Sequence, residues 1–559
     1  MAHILDLSDS LLARIVSVAR LRDRARFASF AAVCRRFYDL AFALPLTKPF
    51  DFGHDGPFRD SYNNIIFSTR KLAKESGLSR QAADEAVTAK VEALLATSPF
   101  VQACALHKQG FVQALNVPDL PACLLPLIFQ YFPSLEVIEI GAFSKFLFAD
   151  KKATKEPSLK DSSADVSLFD LANFRSLTKI VISSFNCDYI QLPKATLQDL
   201  LLRKFTGDNA IPISPQLVAD IEQCADLVRL RTDIYVKISG LLKLRQLVVD
   251  VNKVDDATCL EELPGDKLWH LKVDFCGDYG TATPHFPNLN RMKKSLKNLD
   301  LRSPPPVPRD LVNELVLDTL KIYGRPGFDI EPFRSQTELT AFKLFNTISR
   351  TAFTPKFYDI VSKFTKVKDL RVDGAYKFDY LKKLFDPVFP NLEILWIYFN
   401  HLALDSGYFS PLELEEMFLS LDSTKIVDLQ VHHISMTRGI VSILSSYENL
   451  KKFVIICGDE SVPTDEWLNM LGELRNLEEL TLIRTEGRNF DPEVHITPEM
   501  AKPRSLSLEV LTKNVSLMPR LKYLRISNYF GGFAGKKSAF QSLLADDMRK
   551  RLEVVFDAV

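Results

Sequence analysis

A short apolar triplet, L-x-x-L-x-L, recurs along most of this chain. It stands at Leu135-Ile138-Ile140, Leu177-Ile180-Ile182, Leu197-Leu200-Leu202 and Leu244-Leu247-Val249. Further copies are Leu268-Leu271-Val273, Leu296-Leu299-Leu301, Leu317-Leu320-Ile322, Leu339-Phe342-Leu344 and Val367-Leu370-Val372. The series ends with Leu392-Leu395-Ile397, Ile426-Leu429-Val431, Leu450-Phe453-Ile455, Leu477-Leu480-Leu482 and Leu521-Leu524-Ile526. Most steps are 20 to 30 residues; those before Leu177, Leu244 and Leu521 are 42, 47 and 44. Apolar residues two apart mark a strand with one buried face. One such unit cannot bury its apolar face alone, so neighbouring units must stack. At 559 residues the chain also exceeds what one hydrophobic core can hold.

The triplet by itself also arises by chance, so its lead-in carries more weight. Phe132-Pro133-Ser134-Leu135, Phe286-Pro287-Asn288-Leu289, Phe389-Pro390-Asn391-Leu392 and Met518-Pro519-Arg520-Leu521 share one form. Tyr447-Glu448-Asn449-Leu450 and Leu474-Arg475-Asn476-Leu477 vary it. A large apolar residue and a loop-favouring pair thus precede the first Leu of a predicted strand. One copy runs on as Leu392, Leu395, Ile397, Asn400 and Leu402, and another reaches Cys276 at the Asn position. These motifs resemble the leucine-rich repeat. The resemblance implies an α/β solenoid, with parallel strands on the concave face, helices on the convex face, and Asn or Cys satisfying backbone groups at the bend.

The N-terminal residues read differently. Leu11, Leu12, Ile15 and Val18 follow Ser8-Asp9-Ser10 at helical spacing, and a second helix is predicted from Asp23 with Phe27, Phe30, Val33 and Phe37 on its apolar side. The run Leu5-Asp6-Leu7-Ser8-Asp9-Ser10-Leu11-Leu12-Ala13-Arg14-Ile15, then Arg22-Asp23-Arg24 and Val33-Cys34-Arg35-Arg36-Phe37-Tyr38, resembles the F-box. Ser8 stands where the family usually has Pro, and Ser is a competent N-cap. An F-box ahead of leucine-rich repeats implies a substrate receptor of an SCF-type ubiquitin ligase. On the matching positions, Leu7, Leu11, Leu12, Ile15, Val33, Cys34 and Phe37 would bind a Skp-type adaptor and, through it, a cullin. The repeats would hold a substrate protein. The other reading of these residues is a helical cap for the solenoid, which would then be a scaffold unconnected to ubiquitin.

Three segments follow: residues 1–45 as the F-box-like all-α domain, 46–119 as a helical linker and cap, and 120–559 as the solenoid. Pro45, Pro49, Gly53, Gly56 and Pro57 break the first helical run; helix is predicted again over about 62–116, with Ser79 capping Arg80 to Ala96. Lys151–Ser167, Ser303–Pro308 and 484–504 are predicted to be surface insertions.

Lys plus Arg and Asp plus Glu are each 70, so no global charge calls for nucleic acid or a membrane surface as partner. No run of 18 apolar residues predicts a membrane helix. The acidic opening residues make a poor leader, and eight scattered cysteines without a CxxC pair suit a reducing compartment, so a cytoplasmic or nuclear protein is expected. No catalytic residue, cofactor or metal is expected. Gly531 to Ser538 lacks the spacing of a phosphate loop, and His432-His433 points to opposite faces of a strand. Residues between the core Leu positions should form the binding face: His270, Lys272, Asp274, Trp396, Tyr398, Gln430, His432 and Arg525, with Arg229 and Arg231 in a weaker unit. Aromatic and Arg side chains of this kind supply much of the binding energy at protein interfaces.

Overall fold

The structure, a computed structural model, describes residues 50–51, 56–97, 112–144, 171–204, 213–234, 236–251, 267–275, 286–324, 328–346, 355–373, 389–398, 411–432, 437–457, 469–484, 507–527 and 536–557. They fall into two compact units, one up to His270 and one from Leu271 onward.

The first unit carries β1 (Phe50–Asp51), β2 (Ala114–Pro121), β3 (Val137–Ser144), β4 (Lys179–Asn186), β5 (Asp199–Lys204), β6 (Arg229–Thr232) and β7 (Gln246–Val251). Each pairs in parallel with the next. The second unit holds all but the first residue of β8 (His270–Phe275), then β9 (Asn298–Arg302), β10 (Thr319–Gly324), β11 (Ala341–Asn346), β12 (Asp369–Asp373) and β13 (Ile394–Tyr398). It continues with β14 (Asp428–His432), β15 (Lys452–Cys457), β16 (Glu479–Arg484), β17 (Tyr523–Ser527) and β18 (Glu553–Asp557). β8 hydrogen-bonds to β9, and from β9 to β18 every neighbouring pair is parallel. Each unit is therefore an α/β leucine-rich-repeat array, with strands in chain order and helices or turns between them.

The triplets place their apolar residues as the two-residue period requires. Leu200, Leu202, Leu320, Ile322, Leu429 and Val431 are fully buried. The lead-in has a structural reason. Its large residues, Phe132, Phe286, Phe389, Tyr447, Leu474 and Met518, are all buried behind the strands. Its Asn can tie one repeat to the one before: Asn391 Nδ2 donates to Thr365 O at 3.1 Å and Asn449 Nδ2 to Thr424 O at 2.5 Å. Most strands also begin in a common way, with two successive amides sharing one carbonyl of the preceding repeat. Thr178 and Lys179 share Glu136 O, and Val427 and Asp428 share Glu393 O. Gln336, 1% exposed, does similar work inside a turn, accepting from Leu317 N at 3.1 Å and donating to Leu315 O at 2.9 Å.

Before the repeats, α1 (Gly56–Ser76) and α2 (Arg80–Thr97) pack together, and α2 lies against the 3₁₀ turn Ala122–Leu124 and α3 (Leu125–Tyr131) of the first repeat. Ser79 Oγ accepts from Ala82 N at 3.2 Å, the predicted cap. Val87, Val91 and Leu95 are fully buried, and the buried Tyr62 hydroxyl donates to Asp119 O at 2.6 Å. Arg70 pairs with the Asp119 carboxylate.

The structure departs from the sequence reading in three places. The helix predicted to reach residue 116 gives way to β2 from Ala114, whose Leu115, Val117 and Leu120 alternate into the core despite Pro118 and Pro121. Phe286-Pro287-Asn288-Leu289 opens a 3₁₀ helix (Leu289–Met292) rather than a strand, because the Asn288 side chain accepts from Asn290 N and caps it. Ser303–Pro308 is no free insertion: Pro304, Pro305 and Val307 are buried, and Ser303, at φ 48°, turns the chain while its N–H donates to Tyr323 O at 2.7 Å. Lys151–Ser167, 485–504, Cys276, Asn400, Leu402, His433 and most of Gly531–Ser538 lie outside the described residues.

Candidate interaction surface

Between the buried positions, most strands carry half-buried or exposed side chains at the intervening positions, on the other side of the sheet. In the second unit, parallel register lines these residues up across strands. Lys321 lies opposite Asp300 and Lys343, Arg371 opposite Lys343 and Trp396, and Trp396 opposite Gln430. Two residues further along each strand, Tyr323 lies opposite Arg302 and Phe345.

The chemistry of this ladder is cation against acid and cation against ring. Arg302 Nη1 meets Asp274 at 3.1 Å, and Lys321 meets Asp300 at 3.4 Å. Asp369 accepts from Arg371 Nε at 2.9 Å and Nη2 at 3.1 Å, and also faces Lys343 at 3.1 Å. The Tyr323 and Phe345 rings stack with centroids 4.5 Å apart, and Lys321 sits 4.8 Å from the first and 5.4 Å from the second. Arg371 lies 3.4 Å from the Trp396 ring centroid. Such stacking is worth about 0.5–2 kcal/mol and holds the guanidinium flat. The Trp396 indole nitrogen and Asp428 Oδ1 are both buried without a partner at hydrogen-bonding geometry. Burial pushes the Asp428 carboxyl above its ordinary value, against the pull of Lys452 and the Trp396 N–H.

Of the residues expected on this face, Lys272, Asp274, Trp396, Gln430 and Arg525 occupy outward positions in the second unit. Trp396 and Gln430 are direct neighbours, whereas Arg525 lies three strands beyond Gln430, about 14 Å at the usual strand spacing. Asp274 is 8% exposed and engaged by Arg302, so it serves the ladder more than the surface. His270 belongs to the first unit, where its amide donates to Arg245 O at 3.0 Å. Tyr398 and His432 end β13 and β14, and their side chains lie outside the described part. Leu7, Leu11, Leu12, Ile15, Val33, Cys34 and Phe37 lie outside the described residues. The sequence reading passed over Arg203, Arg302, Lys321, Tyr323, Phe345 and Arg371. The signal was present, since all occupy the same alternate positions as the residues it named.

Among the described residues, no group of three or more His, Cys, Asp or Glu could hold a metal ion. No described helix is long and apolar enough to cross a membrane.

No family model matches the chain, and no curated protein matches it. Among solved structures, the plant peptide hormone receptor RGFR1 in complex with RGF2 is 14% identical, with a TM-score of 0.26, over 74% of this chain and 58% of that one. The TLR13–ssRNA13 complex gives 11% identity and a TM-score of 0.31, over 75% of this chain and 56% of that one. The chain thus spans somewhat more than half the length of each. Neither likeness bears on function, and the fold assignment rests on strand register and burial.

Proposed function

We propose that the chain is the substrate-recognition subunit of an SCF-type ubiquitin ligase. In this reading the N-terminal segment docks on a Skp-type adaptor, and the strand face of the repeats takes a target protein. The chain itself makes and breaks no bond; it raises the local concentration of the target beside subunits that do. The observation that carries the reading is the F-box-like run from Leu5 to Tyr38 placed ahead of leucine-rich repeats. A second supports it. Helix α2, which packs on α1, lies against the 3₁₀ turn and α3 of the first repeat, so a helical cap separate from the F-box-like run is present. The strand face, with Arg371 on Trp396 and stacked Tyr323 and Phe345, has the aromatic and Arg content of protein-binding surfaces.

Pull-down of the purified chain with a Skp-type adaptor tests this. Wild type should bind, and Leu11→Asp combined with Val33→Asp should abolish binding while thermal stability stays unchanged. A folded wild-type chain that ignores the adaptor sinks the proposal. It would leave the second reading, a leucine-rich-repeat scaffold for protein partners outside the ubiquitin system, which the strand face equally favours.

A further inference from the structure

On the outward face of the first unit, most cations have taken acids. Lys179 meets Glu139 at 2.7 Å, and Arg229 meets Asp199 at 2.9 Å. Two arginines stand apart from this economy. Leu201 on β5 lies opposite Arg231 on β6, so Arg203, two residues beyond Leu201, is the diagonal neighbour of Arg231 on the same face. Among the described residues, Arg203 has one ion pair, with Asp250 at 3.9 Å, the outer limit of such a contact. Arg231 forms no ion pair among the described residues, and neither Nε has a hydrogen-bond partner there. The nearby Asp233 carboxylate accepts instead from the Lys204 backbone N–H at 2.7 Å.

This arrangement is unfavourable in the free protein. Burial and the charge of Arg203 both work against the Arg231 guanidinium, and Asp250 offsets them only in part. Arg231 is half-buried, and its register partners are the apolar Leu201 and Val248, so little polar protein surface compensates it. An anion placed between the two forks would supply the missing acceptors, in surroundings where charge attraction is stronger than in bulk water. Planar guanidinium forks match carboxylate oxygens two by two.

We propose that Arg203 and Arg231 anchor a carboxylate carried by an acidic segment of a partner protein lying across β5, β6 and β7. The aliphatic part of that side chain would rest on Leu201 and Val248. The proposal rests on the reading that the strand face receives a protein partner, and is independent of the ubiquitin connection.

Fluorescein-labelled hexaglutamate, with hexaglutamine as the neutral control, is the probe for the full-length chain. Anisotropy should show salt-sensitive binding of hexaglutamate alone. Arg231→Gln should weaken it at least fivefold, Arg231→Lys should fall between, and Arg229→Gln, whose native partner is Asp199, should change it less than twofold. Arg231→Gln should also melt at or above the wild-type temperature, because it removes a charge that Asp250 offsets only in part. Hexaglutamate binding unaffected by Arg231→Gln would overturn the proposal. So would a marked loss of thermal stability in that variant, which would make Arg231 a structural residue. Binding of inorganic phosphate without binding of hexaglutamate would equally overturn it. A failed adaptor pull-down leaves these outcomes untouched.

Discussion

A single buried carboxylate shows how these repeats hold polar groups in their interior. Asp220 lies on α4 (Pro215–Glu222), a helix begun by Ser214, whose hydroxyl accepts from Gln216 N at 3.1 Å. It is 1% exposed, yet receives Lys194 Nζ at 2.7 Å, Gln216 Nε2 at 2.9 Å and the Tyr189 hydroxyl at 2.9 Å. Burial alone would raise its proton affinity; the hydrogen bonds from Lys194, Gln216 and Tyr189 outweigh it and hold the carboxyl below its ordinary value. A depressed carboxyl stabilises the fold above its unfolded pKa of about 3.9, and that stability is lost as pH falls through the native value. Asp220→Asn should therefore cost about 2 kcal/mol at neutral pH. The gap in melting temperature between variant and wild type should narrow below about pH 4. A gap that stays constant with pH would show that the charge of Asp220 contributes nothing.

At the scale of elements, close strand packing sets the strictest local demand. A Cβ on Gly141 of β3 would run into the carbonyl oxygen of Pro118 on β2. Gly141→Ala should cost about 1–3 kcal/mol, as overpacking does, and should speed amide exchange in β2 and β3 before other strands. Unchanged exchange there would show that the pair yields freely. The same region shows what a sequence can hide. The triplets from Leu135 onward were legible because alternation alone determines which residues a strand buries. β2 was not, because Pro118, Asp119 and Pro121 interrupt its apolar pattern, and neither was β18, where Val554 and Phe556 lack the lead-in. β2 and β18 are supported by their neighbours rather than by their own composition. The outward positions of Lys272, Trp396, Gln430 and Arg525 were legible one by one, but their neighbours across the strands were not. Nothing in sequence says that Arg371 falls opposite Trp396 or Arg203 beside Arg231, because that depends on the length of each intervening turn.

Across the whole molecule, stability in a stacked array is close to a sum of repeat and nearest-neighbour contributions. A core deletion should therefore open the structure locally. Leu429 on β14 is fully buried between Leu395 and Phe453 on the adjoining strands. Leu429→Ala should cost about 2–5 kcal/mol. Hydrogen exchange followed by mass spectrometry should show the loss in β13, β14 and β15, with β2 to β7 of the first unit keeping their protection. Simultaneous loss of protection in both units would instead mark one cooperative domain. The architecture could be inferred at this scale because every repeat restates it. The docking role proposed for residues 1–45 falls outside the described residues.

Two indoles stand among the described residues: Trp269, just ahead of β8 in the first unit, 46% exposed and edge-on to His270, and Trp396 on β13 of the second, against Arg371. The third, Trp467, lies outside the described residues. The molecule thus carries its own optical reporters. A ligand that displaces the guanidinium from Trp396 would alter emission from the second unit, and single Trp→Phe variants would tell which indole had responded without any attached dye.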